Sequence, residues 1–263
     1  MRKLIPIVCG LAAVALVACG SDPSTPTGTL PKVEGLTVVD SLCSGTDVFL
    51  SWSPVDSAIG YRVYYDESGL GNWGELKSVE DTFTVHSAER AYYYTVLAFT
   101  ATNTSEDYAD RASTRPNYCG SYLLHDNYAS ADSANAIVFG ANAGVTGRAD
   151  DTTFAQNAYT YDGGWAQSPI GLYTGDAGVW GNGVETPMQR SNSGLVAPEA
   201  GYDEDSIYII DGDYVYFQMP DSHYVKVWVE EVVEDTTVTD TTYFARIRYQ
   251  YQPIEGLRLF SYI

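Results

Sequence analysis

Along this chain the apolar positions alternate with polar ones at period two, in short runs, which is the spacing of half-buried strands rather than helices. Val48-Phe49-Leu50-Ser51-Trp52, Tyr61-Arg62-Val63-Tyr64-Tyr65, Thr82-Phe83-Thr84-Val85 and Tyr92-Tyr93-Tyr94-Thr95-Val96-Leu97-Ala98 are such runs, preceded by Leu36-Thr37-Val38-Val39. So many short strands in so little chain predict an antiparallel sandwich over residues 31–116. Farther on, Ser206-Ile207-Tyr208-Ile209-Ile210 and Tyr214-Val215-Tyr216-Phe217 flank Asp211-Gly212-Asp213, which predicts a hairpin. Val225, Val227 and Val229 alternate with Lys226, Trp228 and Glu230, and Ala245, Ile247, Tyr249 and Tyr251 alternate with Arg246, Arg248, Gln250 and Gln252. That predicts a long hairpin with one buried face, joined by the polar loop 235–242, with Gly256-Leu257-Arg258-Leu259-Phe260 as a closing strand. On its polar face Lys226, Arg246, Arg248 and Arg258 are expected to pair across strands with Glu230 and Glu231, the alternative being a patch for an anionic ligand. Residues 140–201 are Gly-rich without sustained helical periodicity, so loops and short strands are expected there. The chain thus reads as all-β, with a second β-rich domain over 117–263.

The first residues follow a different rule. Arg2 and Lys3 precede an apolar run from Leu4 to Ala18, too short to span a bilayer and of the length of a signal peptide. The run ends in Leu16-Val17-Ala18-Cys19, which resembles the lipobox of bacterial lipoproteins. The resemblance implies that residues 1–18 are a removed signal peptide and that Cys19 is lipidated and becomes the mature N-terminus. It also implies a location in the cell envelope, facing an oxidising compartment, and Gly20 rather than Asp after Cys19 points to the outer membrane or cell surface. Each buried CH₂ of an acyl chain contributes about 0.8 kcal/mol, so two or three chains make a stable anchor. Residues 19–30, rich in Pro, Ser and Thr, read as a solvated tether.

With Cys9 removed and Cys19 acylated, Cys43 and Cys119 remain. In an exported protein they are expected to form one disulfide, the alternative being two buried free thiols. The span 31–116 resembles a fibronectin type III domain, an immunoglobulin-like sandwich. The resemblance is carried by Pro31, by Val48-x-Leu50-x-Trp52-x-Pro54, by Tyr61-Arg62-Val63-Tyr64-Tyr65 as third strand, by Tyr92-x-Tyr94-x-Val96-x-Ala98 as sixth strand and by the exit Thr114-Arg115-Pro116. It implies that Trp52 anchors the core, that Tyr92 forms the tyrosine corner and that His86 lies in a loop. It also places Cys43 and Cys119 at one pole, which supports the bridge, and it implies a spacer or binding role.

Charge narrows the partners. Lys and Arg number 14 against 34 Asp and Glu, a formal net charge of -20. Nucleic acid, whose phosphates require a basic face, is excluded as a partner. Candidate chemistry is sparse. There is no Gly-x-Ser-x-Gly elbow, P-loop, His-Glu-x-x-His or dinucleotide fingerprint. Asp203-Glu204-Asp205 and Asp211-Gly212-Asp213 lack the spaced loop of a calcium site, so no metal and no cofactor are expected. His223-Tyr224-Val225-Lys226-Val227-Trp228-Val229 and Ala245-Arg246-Ile247-Arg248-Tyr249-Gln250-Tyr251 resemble the C-terminal strands of HmuY-like haem-binding lipoproteins. Only His125 and His223 could serve haem iron in this half, and neither sits in a ligand motif. Trp165, Trp180, Tyr159, Tyr161 and Tyr173 are candidate stacking platforms for sugar rings. The expectation is a non-catalytic, membrane-anchored binding or scaffold module for protein or glycan. The alternatives are a glycan-binding accessory module and an exported hydrolase using paired carboxylates.

Overall fold

The computed structural model describes residues 30–126, 132–151, 153–161, 168, 170–175, 183–236 and 241–262. The expected signal peptide, Cys19 and nearly all of the expected tether lie outside these residues, as do Trp165 and Trp180.

Seven strands build the first unit: β1 (Thr37–Val38), β2 (Asp47–Ser51), β3 (Gly60–Asp66), β4 (Gly74–Val79), β5 (Phe83–Ser87), β6 (Tyr93–Phe99) and β7 (Ala112–Ser113). They form a three-stranded sheet, β1-β2-β5, and a four-stranded sheet, β4-β3-β6-β7. The alternation closes the core between them: Val48, Leu50, Tyr61, Val63, Tyr94 and Val96 all point inward. Trp52, 5% exposed, sits edge-on to Tyr61 with centroids 5.5 Å apart, so it is the anchor that its position implied. This strand order is that of a fibronectin type III sandwich.

One strand departs from the sequence reading. His86 is in β5, not in a loop, half-buried and hydrogen-bonded through Nδ1 to the Tyr94 hydroxyl at 2.9 Å. Burial lowers its pKa below the ordinary histidine value. The reason lies in an inverted pattern, since Phe83 is 49% exposed and Thr84 faces the core.

The second unit holds β8 (Asn117–His125), β9 (Ala136–Val138), β10 (Val145–Gly147), β11 (Ala158–Tyr161), β12 (Gly171–Thr174), β13 (Met188–Ser191), β14 (Ser206–Tyr208), β15 (Tyr214–Gln218), β16 (Tyr224–Thr236) and β17 (Thr241–Gln252). These make two five-stranded sheets, β10-β9-β11-β12-β14 and β13-β15-β16-β17-β8. The hydrophobic core between them includes Leu124, Ile137, Phe139, Leu172, Phe217, Val227, Ile247 and Tyr249. The long hairpin β16–β17 is as the alternation predicts, with Val225, Val227, Val229, Ala245, Ile247 and Tyr249 buried. The chain is therefore all-β, a type III sandwich followed by a second β-rich unit. β7 and β8 are separated only by Thr114-Arg115-Pro116, and β8 enters the second sheet with a register shift at which Gly120 takes a φ of +105°.

Three expectations are corrected here. Asp211-Gly212-Asp213 forms a turn, closed by the Ile210 amide donating to the Asp213 carboxylate at 3.0 Å, but its flanking strands enter different sheets. β14 pairs with β12 and β15 with β13 and β16, so the turn is a corner between sheets and not a hairpin. Next, segment 254–260 is not a closing strand of the second unit. Ile254, Leu257 and Leu259 are buried in the first core, and the Gly45 amide donates to the Gly256 carbonyl at 2.9 Å.

The third correction concerns the cysteines. Cys43 and Cys119 are free thiols. Cys43 faces the first core and accepts a hydrogen bond from the Phe49 amide at 3.3 Å. Cys119 is in β8, facing the second core, with its thiol 3.4 Å from the carbonyl of Ala141. Cys43, in the loop before β2, and Cys119, in β8, are each packed into a different core, and burial pushes both thiols above the ordinary pKa.

Candidate functional site

Where the two units meet, the outer face of β15–β17 is covered by residues 193–197 and 257–261. The Ala197 amide donates to the Arg258 carbonyl at 2.8 Å and the Phe260 amide to the Leu195 carbonyl at 2.7 Å. Beneath this cover Lys226 is fully buried, donating to the Gly194 carbonyl at 2.8 Å and to the Ser261 carbonyl. It does not join the exposed charge pairs. Arg246 pairs with Glu231 at 2.7 Å and Arg248 grips Glu230 with two donors at 2.6 and 3.1 Å, as the polar alternation predicts. Arg258 lies 3.8 Å from Glu199, away from those pairs.

Beside the cover opens a cleft of about 590 Å³, walled by the loop after β3, by Arg90 and Arg115, and by Ser261 and Tyr262. A second hollow of about 390 Å³ shares Arg115, Ser261 and Tyr262 and adds Tyr118 and Arg248. The two neighbouring hollows therefore draw on both sandwiches and on the segment that binds them together.

The loop wall is rigid. Asp66, 3% exposed, accepts hydrogen bonds from the Ser68 amide and hydroxyl, both at 2.9 Å, and from the Gly71 amide at 2.8 Å. Burial alone would raise its pKa, but these bonds to the charged form outweigh it and hold the carboxyl below its ordinary value. Arg111 and Arg115 hold the same loop from outside, donating to the carbonyls of Gly69 at 2.7 Å and Glu67 at 2.6 Å. Both guanidinium groups lie over the Tyr93 ring, at 5.4 and 5.6 Å. Arg90 is ion-paired with Glu67 and lies 5.5 Å from the Tyr262 ring. Arg115 differs from Arg90 and Arg248 in having no carboxylate partner among the described residues.

Of the residues expected to contact glycan, Tyr159, Tyr161 and Tyr173 are among the described residues and lie together. Tyr159 is fully buried and stacked on Tyr173 at 5.2 Å, and Tyr161 meets Tyr173 edge-on at 5.8 Å. With Phe154, Ala136 and Ala149 they form a small core cluster, so Tyr159 is no sugar platform. Trp165 and Trp180, the other candidates, lie outside the described residues. His125 meets Phe244 at 5.7 Å and His223 stacks on Tyr251 at 5.3 Å. Phe244 and Tyr251 are seven positions apart on β17, about 24 Å at strand rise, so the two histidines cannot bracket one haem iron. Among the described residues no three His, Cys, Asp or Glu side chains converge as a metal site. The turn acids Asp211 and Asp213 are occupied by the Val232 amide at 2.6 Å and by Arg190 at 3.3 Å.

No family model and no curated protein matches this chain. Among solved structures it is similar to an FN3tt mutant (16% identity, 33% of this chain and 94% of that one, TM-score 0.29). It is also similar to an Fn3-like protein from Clostridium thermocellum (20% identity, 31% of this chain and 86% of that one, TM-score 0.27). A fibronectin type III domain of a human protein covers 34% of this chain at 17% identity and a TM-score of 0.28, with 88% of its own length matched. At such scores the strand order, and not the superposition, defines the sandwich.

Proposed function

We propose that this chain is an exported, lipid-anchored binding protein that is not an enzyme and that takes a protein or glycan ligand in the cleft between its two units. The observation that carries the reading is the cleft itself: a concave site in an acidic chain, bordered by three arginines and by the exposed rings of Tyr118 and Tyr262. Ligand sites gather where units meet, and aromatic rings give large contact area at low entropic cost. Both acids lining it are engaged, Asp66 by backbone amides and Glu67 by Arg90, which favours binding over carboxylate catalysis. The anchor rests on Leu16-Val17-Ala18-Cys19, and the type III sandwich would hold the cleft away from the bilayer.

Two experiments test it. Intact mass and detergent partition should show Cys19 acylated, and a Cys19→Ala chain that is still processed and membrane-bound would exclude the anchor. The full chain in detergent should retain a ligand from glycan and protein arrays, and Arg115→Ala with Tyr262→Ala should abolish retention. Unaltered retention would remove the cleft from the reading.

A further inference from the structure

We infer that the cleft recognises an anionic saccharide, whose carboxylate or sulfate group sits on Arg115 and whose sugar rings lie against Tyr262 and Tyr118. This rests on the cleft being the binding site. Arg115 lines both hollows, together with Ser261 and Tyr262. Its Nη1 donates to the Glu67 carbonyl at 2.6 Å, and that bond fixes the guanidinium plane. Of its five N–H donors the remaining ones have no protein acceptor among the described residues. A planar fork held in place by a backbone carbonyl and a neighbouring ring is the arrangement that binds an oxyanion with two parallel hydrogen bonds. Arg90 and Arg248 also carry positive charge at the rim, yet each is neutralised by its own glutamate. The specific anion site is therefore Arg115.

The rest of the lining selects a sugar over an acidic peptide. An acidic peptide motif is held by a cluster of arginines, whereas here Arg90 and Arg248 are each paired with a glutamate and Arg115 alone of the three is without one among the described residues. Here the apolar surface at the mouth is ring faces: Tyr118 is 54% exposed and Tyr262 is 64% exposed. Neutral hydrogen-bonding groups also line the hollows, Asn72 in the first and Ser261 in both, and are suited to hydroxyls. Ser261 is fixed from behind, its hydroxyl accepting from Gln250 at 3.0 Å and its carbonyl held by Lys226. The site is thus built before any ligand arrives, which lowers the entropic cost of binding.

The test is calorimetric titration of the full chain in detergent with polygalacturonate, with a sulfated galactan, and with the carboxyl-reduced and desulfated forms of each. At least one anionic polymer should bind at least tenfold more tightly than its neutral form, with affinity falling as salt rises. Arg115→Ala should remove that preference. Arg115→Lys should keep the charge and the fold but lose most of the gain, because an ammonium cannot bind in a bidentate fork. Tyr262→Ala should weaken the anionic and neutral forms alike. Equal binding of the neutral forms, or no binding by any polymer, overturns the anionic-saccharide inference. A neutral glycan or a protein whose binding is lost in Arg115→Ala would also overturn it, while leaving the cleft as the binding site. An anionic preference undisturbed by Arg115→Ala and Tyr262→Ala would overturn both.

Discussion

Lys226 and Ser261 are joined through the outer face of the second sandwich: the lysine ammonium, fully buried and with no carboxylate partner among the described residues, donates to the backbone carbonyl of Ser261. Burial lowers its pKa to about 7. Between that value and the ordinary lysine range the unfolded chain holds one more proton than the folded one. Raising the pH through this window therefore stabilises the fold, by up to about 1.4 kcal/mol per unit, whereas below it both states are protonated and the contribution is flat. Urea unfolding of wild type and Lys226→Met from pH 6 to 8.5 should differ by this slope. Parallel curves would remove the buried lysine from the pH dependence.

Leu257 and Leu259 are fully buried in the first core although they follow the second unit in sequence. Leu257→Ala or Leu259→Ala should each destabilise by about 2–5 kcal/mol. The diagnostic readout is hydrogen exchange in β2 and β6, which should accelerate. Faster exchange confined to β15–β17 would contradict the packing.

Cys43 and Cys119 should both be alkylated when the chain is unfolded without reductant, and both should resist alkylation when folded, since burial raises their pKa. Recovery of a peptide linking Cys43 to Cys119 would refute the two-core placement.

Tyr159→Ala should unfold the second unit rather than spare it, at about 3–5 kcal/mol, because the ring is fully buried against Tyr173. A stable variant that loses only ligand would restore Tyr159 as a contact.

Gly69 and Gly71 differ in a way that can be measured. Both have positive φ, +75° and +90°, but a Cβ at Gly69 would stand 2.6 Å from the Tyr93 ring, whereas at Gly71 the nearest atom is 3.9 Å away. Gly69→Ala should cost about 1–3 kcal/mol more than Gly71→Ala in chemical denaturation, through the overpacked ring. Equal losses would mean that the loop moves away from Tyr93 without penalty.

Much of the strand content was legible because period-two burial is local: Val48, Leu50 and Trp52, or Val225, Val227 and Val229, report their own faces. β5 was read less well because exposed Phe83 and Val85 invert the rule. Lys226 sits at a polar position of a regular strand, and nothing near it in sequence announces that segments 193–197 and 257–261 cover it. The cysteine count suggests a bridge, but it does not report packing: Cys43, in the loop before β2, and Cys119, in β8, are buried in different cores. The cleft was least legible. Its walls come from the loop after β3, from Arg90, Arg115, Tyr118, Arg248 and Tyr262, residues that only the docking of two sandwiches brings together.

The placement of Leu257 and Leu259 also sets an order of events. A chain made from its N-terminus completes the strands of the first sandwich at Ser113 with an unfilled slot in the core, and Leu257 and Leu259, which fill it, arrive about 140 positions later. The strands of the second sandwich all lie, in sequence, between that slot and the segment that fills it. The type III unit, first to appear, is thus the last to close, and during that interval its open apolar slot is exposed to association with other chains.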